Sequence, residues 1–226
     1  MQRLCMTENQ STVALFDLDG TLTWRDTLIP FLCGYLIRHP LRVLQLWKLP
    51  PALAAFFFLD HDRGRLKSQI IRAVMGNERR ATIAAWADAF VDGLRSRGAF
   101  RAAALNALDA HRAAGHHLVL LSASPDLYVP RIGQLLGFER TLCTELAWAG
   151  ERLDGHLVTP NRQGEEKLHC LKWLRTQYPG MPIIAYGNSA TDLGHLRQAD
   201  RAILVNGGMS ARRLASEVGI TTADWL

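Results

Sequence analysis

The chain of 226 residues has little cysteine: Cys5, Cys33, Cys143 and Cys170 are scattered, and no two stand in Cys-x-x-Cys spacing. That excludes a disulfide framework and a zinc ribbon, and makes reduced thiols in a cytoplasmic compartment the expectation. Long apolar runs are also lacking. The greasiest stretch, from Leu41 to Leu59, is broken by Lys48 and by Pro50-Pro51, so it falls short of the ~20 residues that span a bilayer. The first dozen residues, polar from Thr7 to Thr12, show no apolar core of a signal peptide. The formal charge of +5 suits an anionic partner, but no dense basic run interleaves with aromatics, so nucleic acid is not expected. Histidines show no ligand spacing, and His116-His117 would face opposite ways on a strand.

What the chain does have is apolar runs that end in polar chemistry. Val13-Ala14-Leu15-Phe16 leads into Asp17-Leu18-Asp19-Gly20-Thr21, which delivers two carboxylates to the end of a strand. A turn begun at Gly20 can aim the second acid at whatever the first attacks. Such a pair suits a carboxylate nucleophile beside an acid/base, although an acidic turn alone yields the same pattern. Leu118 to Leu121 ends in Ser122-Ala123-Ser124-Pro125 and brings a hydroxyl. Lys167 opens a segment with apolar Leu168, Leu171 and Leu174, near a helix start. Ile183 to Tyr186 ends in Gly187-Asn188-Ser189-Ala190-Thr191-Asp192 and brings an amide and a further acid.

With 48% hydrophobic and 21% charged residues, the chain can bury a core as one domain with an insertion or as two small domains. From about Trp24 to Gly98 the pattern is helical, with breaks at Pro30, Pro40, Pro50-Pro51, Gly64 and Gly76. After Gly98, helices alternate with short apolar runs, which predicts a parallel sheet with crossover helices. The runs around Glu145–Ala149 and Arg152–Val158 flank Gly150 and predict a hairpin near the core's edge. The expected division is a core of residues 1–24 and 99–226 and a helical unit of residues 25–98. Trp47, Trp86, Trp148 and Trp173 are expected to pack in core or helical unit.

These four motifs, in this order, resemble the haloacid dehalogenase superfamily of phosphatases, and within it the phosphoserine-phosphatase-like branch. The resemblance runs from Val13 to about Val205 and departs in one place: the fourth motif usually reads Gly-Asp-x-x-x-Asp, and here Asn188 replaces the first acid. It implies an α/β fold, a doubly wound Rossmann-like parallel sheet with an inserted all-helical cap. It also implies a Mg²⁺-dependent phosphomonoester hydrolase working through an aspartyl-phosphate. Asp17 would be the nucleophile and Asp19 the acid/base. Ser122 and Lys167 would hold the phosphate with Thr21, Ala123 and backbone amides after Asp17. Asp17, the Asp19 carbonyl and Asn188 would hold the metal, with Asp192 supporting directly or through water. An amide in place of a carboxylate weakens that grip. Asp26, Arg65 and Lys67 fall where the relatives contact substrate.

The expected partner is a small phosphorylated metabolite such as phosphoserine. The sequence leaves the oligomeric state open. The apolar stretch Leu41–Leu59 first reads as helices packing their own core. The alternative is a lid that touches the membrane surface and admits a lipid phosphate, with Arg38, Arg42 and Lys48 meeting headgroups. Outside this class stands a phosphoacceptor signalling module, which would accumulate phospho-Asp17; the helical insertion and Asp19 argue for turnover instead. A binding scaffold that has lost activity, a dehalogenase and a phosphotransferase are the remaining alternatives.

Overall fold

A computed structural model describes residues 11–225; Cys5 and the start of the polar stretch at Thr7 lie outside them. Strand β1 (Val13–Phe16) is buried along its whole length because both its faces are covered. Side chains alternate along a strand, so Val13 and Leu15 enter one apolar cluster and Ala14 and Phe16 the other. The continuous apolar run of the sequence is what a central parallel strand requires.

Around it, β2 (His117–Pro125), β3 (Arg140–Thr144), β6 (Ile183–Gly187), β7 (Arg201–Val205) and β8 (Thr221–Ala223) complete a six-stranded sheet in the order β3-β2-β1-β6-β7-β8. Every pairing in it is parallel. Helices α5 (Ala102–Ala113) and α6 (Val129–Leu135) bury residues with Phe16 in the first cluster. Helices α7 (Glu165–Gln177), α8 (Leu193–Leu196) and α9 (Met209–Glu217) bury residues with Leu15 in the second. This is the expected doubly wound sheet. The chain builds outward from β1 to β2 and β3, then restarts on the other side at β6, so the switch of direction falls beside β1. Ligand crevices in open parallel sheets lie at that point, beyond the carboxyl ends of the strands.

The helical insertion leaves just after the first motif. Its stem is pinned by a short antiparallel bridge, Thr23 with Phe100, with Trp24 N–H donating to the Ala99 carbonyl at 3.1 Å and Arg101 N–H to the Leu22 carbonyl at 2.9 Å. It contains α1 (Leu28–Arg38), a tight-wound segment Pro40–Lys48, α2 (Leu49–Ala55), α3 (Arg63–Met75) and α4 (Arg80–Ser96). Phe31, Leu32, Tyr35, Ile71, Trp86 and Phe90 form its own buried centre, continuous with the first cluster.

Several sequence expectations need correction. The stretch Leu41–Leu59 does not bury itself as a packed core: Leu41, Leu44, Trp47, Phe57 and Phe58 are exposed. Trp173 is exposed too, while Trp86 is buried as expected. The hairpin of β4 (Leu146–Ala149) and β5 (Arg152–Leu157) does form near the core's edge as expected: it follows the edge strand β3 at once, makes a separate two-stranded sheet and packs on α3. Ser68 Oγ donates to the Gly155 carbonyl at 2.8 Å, and Asn77 N–H to the Leu153 carbonyl at 2.8 Å. No helix among the described residues is long and apolar enough to cross a membrane.

Candidate active site

Three strands and one helix start deliver polar groups of the motifs to one place, with Ser124 rather than the expected Ser122 coming from the second motif. Asp17 follows β1, its N–H donating to the Tyr186 carbonyl of β6 at 3.0 Å, so its backbone is set by the sheet. The chain then turns sharply through Gly20, at φ +81°. A Cβ here would stand 2.0 Å from Asn188 Nδ2; glycine is required both by the left-handed backbone and by the close approach of the fourth motif.

Lys167, in the first turn of α7, is buried and places Nζ 2.6 Å from Asp17 Oδ1 and 2.6 Å from Asp192 Oδ1. Burial works against its charge, but the two carboxylates outweigh that and hold its pKa above the ordinary lysine value. Burial raises Asp17, with Lys167 opposing and the Asp192 charge adding to the rise. Asp192 goes the other way: burial alone would lift it, and the Lys167 charge wins and holds it low. One cation thus stands between two acids whose pKa values are pushed apart.

The other oxygens define separate tasks. Asp17 Oδ2 accepts from Thr21 Oγ1 at 3.1 Å. Asp192 Oδ2 accepts from Ser189 N–H at 3.0 Å, Asn188 N–H at 3.2 Å and Ser189 Oγ at 2.7 Å. With both its oxygens engaged, Asp192 braces the lysine and the loop that presents Asn188. Asp19 is clamped: Oδ1 accepts from Thr27 N–H at 2.7 Å and Thr27 Oγ1 at 2.6 Å, and Oδ2 from Ser124 Oγ at 2.6 Å. Burial raises its pKa, and those bonds from Ser124 and Thr27 restrain the rise. Tyr128 OH lies 2.9 Å from Thr27 Oγ1 behind the clamp.

A cavity of about 540 Å³ opens onto Asp17, Asp19, Lys167, Asn188 and Asp192. Ala123 and Ser124 line it, whereas Ser122 is fully buried and accepts Ser124 N–H at 3.0 Å. From the inserted helices come Asp26, Arg63 and Lys67. Asp26 Oδ1 also caps α1, accepting from Leu28 N–H at 2.9 Å. Lys67 Nζ reaches across to the Ala123 carbonyl at 2.6 Å and Asn161 Oδ1 at 2.5 Å. Burial lowers its pKa to about 8, with Asp19 and Asp26 opposing. Arg65 lines two other cavities instead.

Sequence reasoning missed Arg63, Ser124, Thr27, Tyr128 and Asn161. For Arg63 a signal existed, since positions 63 and 67 share a helical face that 65 does not. For Ser124 the signal was its place two residues beyond Ser122 on a continuing strand. Thr27, Tyr128 and Asn161 meet the site only through tertiary packing.

The description haloacid dehalogenase-like hydrolase matches residues 14–197 as a family model, and the chain belongs to that family. Protein CicA of Caulobacter vibrioides is 31% identical over 198 residues, covering 85% of each chain. A probable phosphatase of Mycobacterium tuberculosis is 26% identical over 215 residues, covering 92% of this chain and 73% of that one. Among solved structures, a phospho-aspartyl intermediate analogue of phosphoserine phosphatase superposes with a TM-score of 0.61 at 14% identity, over 91% of each chain. That likeness is one of fold.

Proposed function

We propose that the protein is a Mg²⁺-dependent phosphomonoester hydrolase that transfers the phosphoryl group to Asp17 and then to water. The observation that carries this reading is the buried trio, with Lys167 Nζ 2.6 Å from both Asp17 and Asp192, beside an Asp19 held by two hydroxyls. A carboxylate oxygen of Asp17 attacks phosphorus and the bond to the ester oxygen breaks; Asp19, whose pKa burial raises, gives a proton to the leaving alkoxide. Water then attacks phosphorus and gives its proton to Asp19. The bond to Asp17 breaks, releasing phosphate and restoring the carboxylate. Lys167 offsets the negative charge that gathers on the phosphoryl oxygens.

The donors fit magnesium. Asp17, the Asp19 carbonyl and the Asn188 side chain offer hard oxygens, and the missing Cβ of Gly20 makes room for Asn188 over the first motif. When bound there, Mg²⁺ supplies positive charge to the phosphate and to the buried acids. Asp192 supports this set through Lys167 and the Asn188 loop.

The substrate is a small phosphorylated metabolite of the phosphoserine kind. Asp26, Arg63 and Lys67 give the cavity groups of both signs, which suits an ester carrying an amine and a carboxylate. A substrate panel of phosphoserine, small sugar and polyol phosphates and phosphatidylglycerophosphate, assayed with and without Mg²⁺, tests the reading. Mg²⁺-dependent release of phosphate, highest for the zwitterionic ester and abolished in Asp17→Asn, is the expected result. Equal rates in wild type and Asp17→Asn would remove the mechanism.

A further inference from the structure

The inserted helices carry a second feature that the reaction does not use. Between Asp26 and Asp60 the chain has no acid and three cations, Arg38, Arg42 and Lys48. Within this stretch Pro40–Lys48 winds as a 3₁₀-helix, in which residues three apart eclipse one another. Leu41, Leu44 and Trp47 therefore form one ridge, and they are 80%, 69% and 72% exposed. The residues following Leu41 and Leu44, Arg42 and Gln45, instead line a cavity of about 760 Å³ between this segment, α3 and the β4–β5 hairpin. Ordinary packing would turn the apolar ridge inward and the arginine outward; here the order is reversed. Phe58, just beyond α2, continues the outward apolar row at 85% exposure.

The cavity behind the ridge is cationic. Arg42, Arg65, Arg72 and Arg152 line it against one acid, Asp154. Arg42 bonds Glu78 at 2.6 Å and the Gly76 carbonyl at 2.8 Å, and Arg152 the Asn77 carbonyl at 2.7 Å. The Arg42 and Arg152 guanidinia have five donors each, so these contacts orient those two forks without exhausting them, while Arg72 bonds the Asp154 carbonyl at 3.2 Å and pairs with its carboxylate at 3.9 Å.

From these two observations we infer that the segment Pro40–Phe58 docks on an anionic lipid surface, its leucine and tryptophan ridge entering the acyl boundary while the arginine cavity receives headgroup phosphate. An apolar row with an interfacial tryptophan and flanking cations is the pattern of a helix that lies on a membrane rather than in it. Self-association fits less well, because a second copy would bring the same acid-free, cationic stretch against itself. An anionic bilayer meets both the exposed apolar area and the charge. The inference does not rest on the catalytic reading.

The test is co-sedimentation of the full chain with phosphatidylcholine vesicles, with and without phosphatidylglycerol. Binding to the anionic vesicles alone, falling by about tenfold or more in the W47S/F58S double variant, is expected, since membrane affinity scales with buried apolar area. Both residues are exposed, so thermal melting and turnover of a soluble phosphate ester should match wild type. Trp47→Phe should still bind and lose the vesicle-induced blue shift of tryptophan fluorescence. No binding to anionic vesicles, equal binding to neutral ones, or a dimer in solution that shields Trp47 would overturn the inference.

Discussion

The carboxyl edge of the sheet and the outer face of the Pro40–Phe58 segment break the usual partition of polar and apolar groups in opposite senses. At the edge, Asp17, Lys167 and Asp192 are charged groups taken out of water. On the segment, leucine, tryptophan and phenylalanine are left in it. Buried charge is tolerated only where each member has a partner, and each member here has one at 2.6 Å. Exposed apolar rows cost folding little and mark surfaces that meet something else. The departures from ordinary burial thus fall at the two places proposed to meet ligands, while the strands between them follow the rules.

If that contrast holds, substitutions at the edge have large effects and substitutions on the ridge small ones. Asp17→Asn should lower kcat by about a thousandfold or more, because the proposed nucleophile is removed; steady-state phosphate release measures it. Asp19→Asn should cost about a hundred- to ten-thousandfold, the range of lost general acid–base help, in both formation and breakdown of the intermediate by rapid quench. Lys167→Ala leaves two buried carboxylates without their cation and should destabilise the fold by about 3–5 kcal/mol, read from urea denaturation. A value near zero would mean that the trio is not dry.

A subtler test lies in His195, which is buried behind Asp192. Burial, then the Lys167 charge, lowers its pKa to about 4, against a partly opposing Asp192. The folded state thus refuses a proton that the unfolded chain accepts near 6.5. Its stability contribution is present above about 6.5 and is lost as pH falls toward 4. Subtracting the pH-stability curve of His195→Gln from that of wild type should leave a one-proton slope confined to that window. The smallest effect is expected on the ridge: Trp47→Ser should change stability by no more than about 0.5 kcal/mol.

How much of this was readable beforehand depended on how local the signal was. The apolar runs of β1, β2 and β6 and the groups at their ends were legible, because a fully buried parallel strand writes a continuous apolar word. Strand β3, with exposed Arg140 and half-buried Thr141 and Leu142, and β8, Thr-Thr-Ala at the sheet's rim, were not; edge strands lack that signature. The sequence ended β2 at Leu121, but pairing resumes at Pro125 after a register shift, and this is how Ser124 rather than Ser122 comes to hold Asp19. Arg63 and Arg65 differ only in helical phase. The greasy stretch of the insertion reads alike whether it packs inward or faces out, since composition carries no direction. Its inversion is visible only once Arg42 is seen in a cavity and Leu41 in solvent.

The central claim is that Asp17 carries the phosphoryl group in passing. Acid quench during turnover of a ³²P-labelled ester, followed by peptide mapping, measures this directly. Label on Asp17 that appears and decays at the rate of turnover is the predicted result. Label on another residue, active turnover with no labelled protein, or a phospho-Asp17 that outlives the reaction as in a signalling receiver would contradict it.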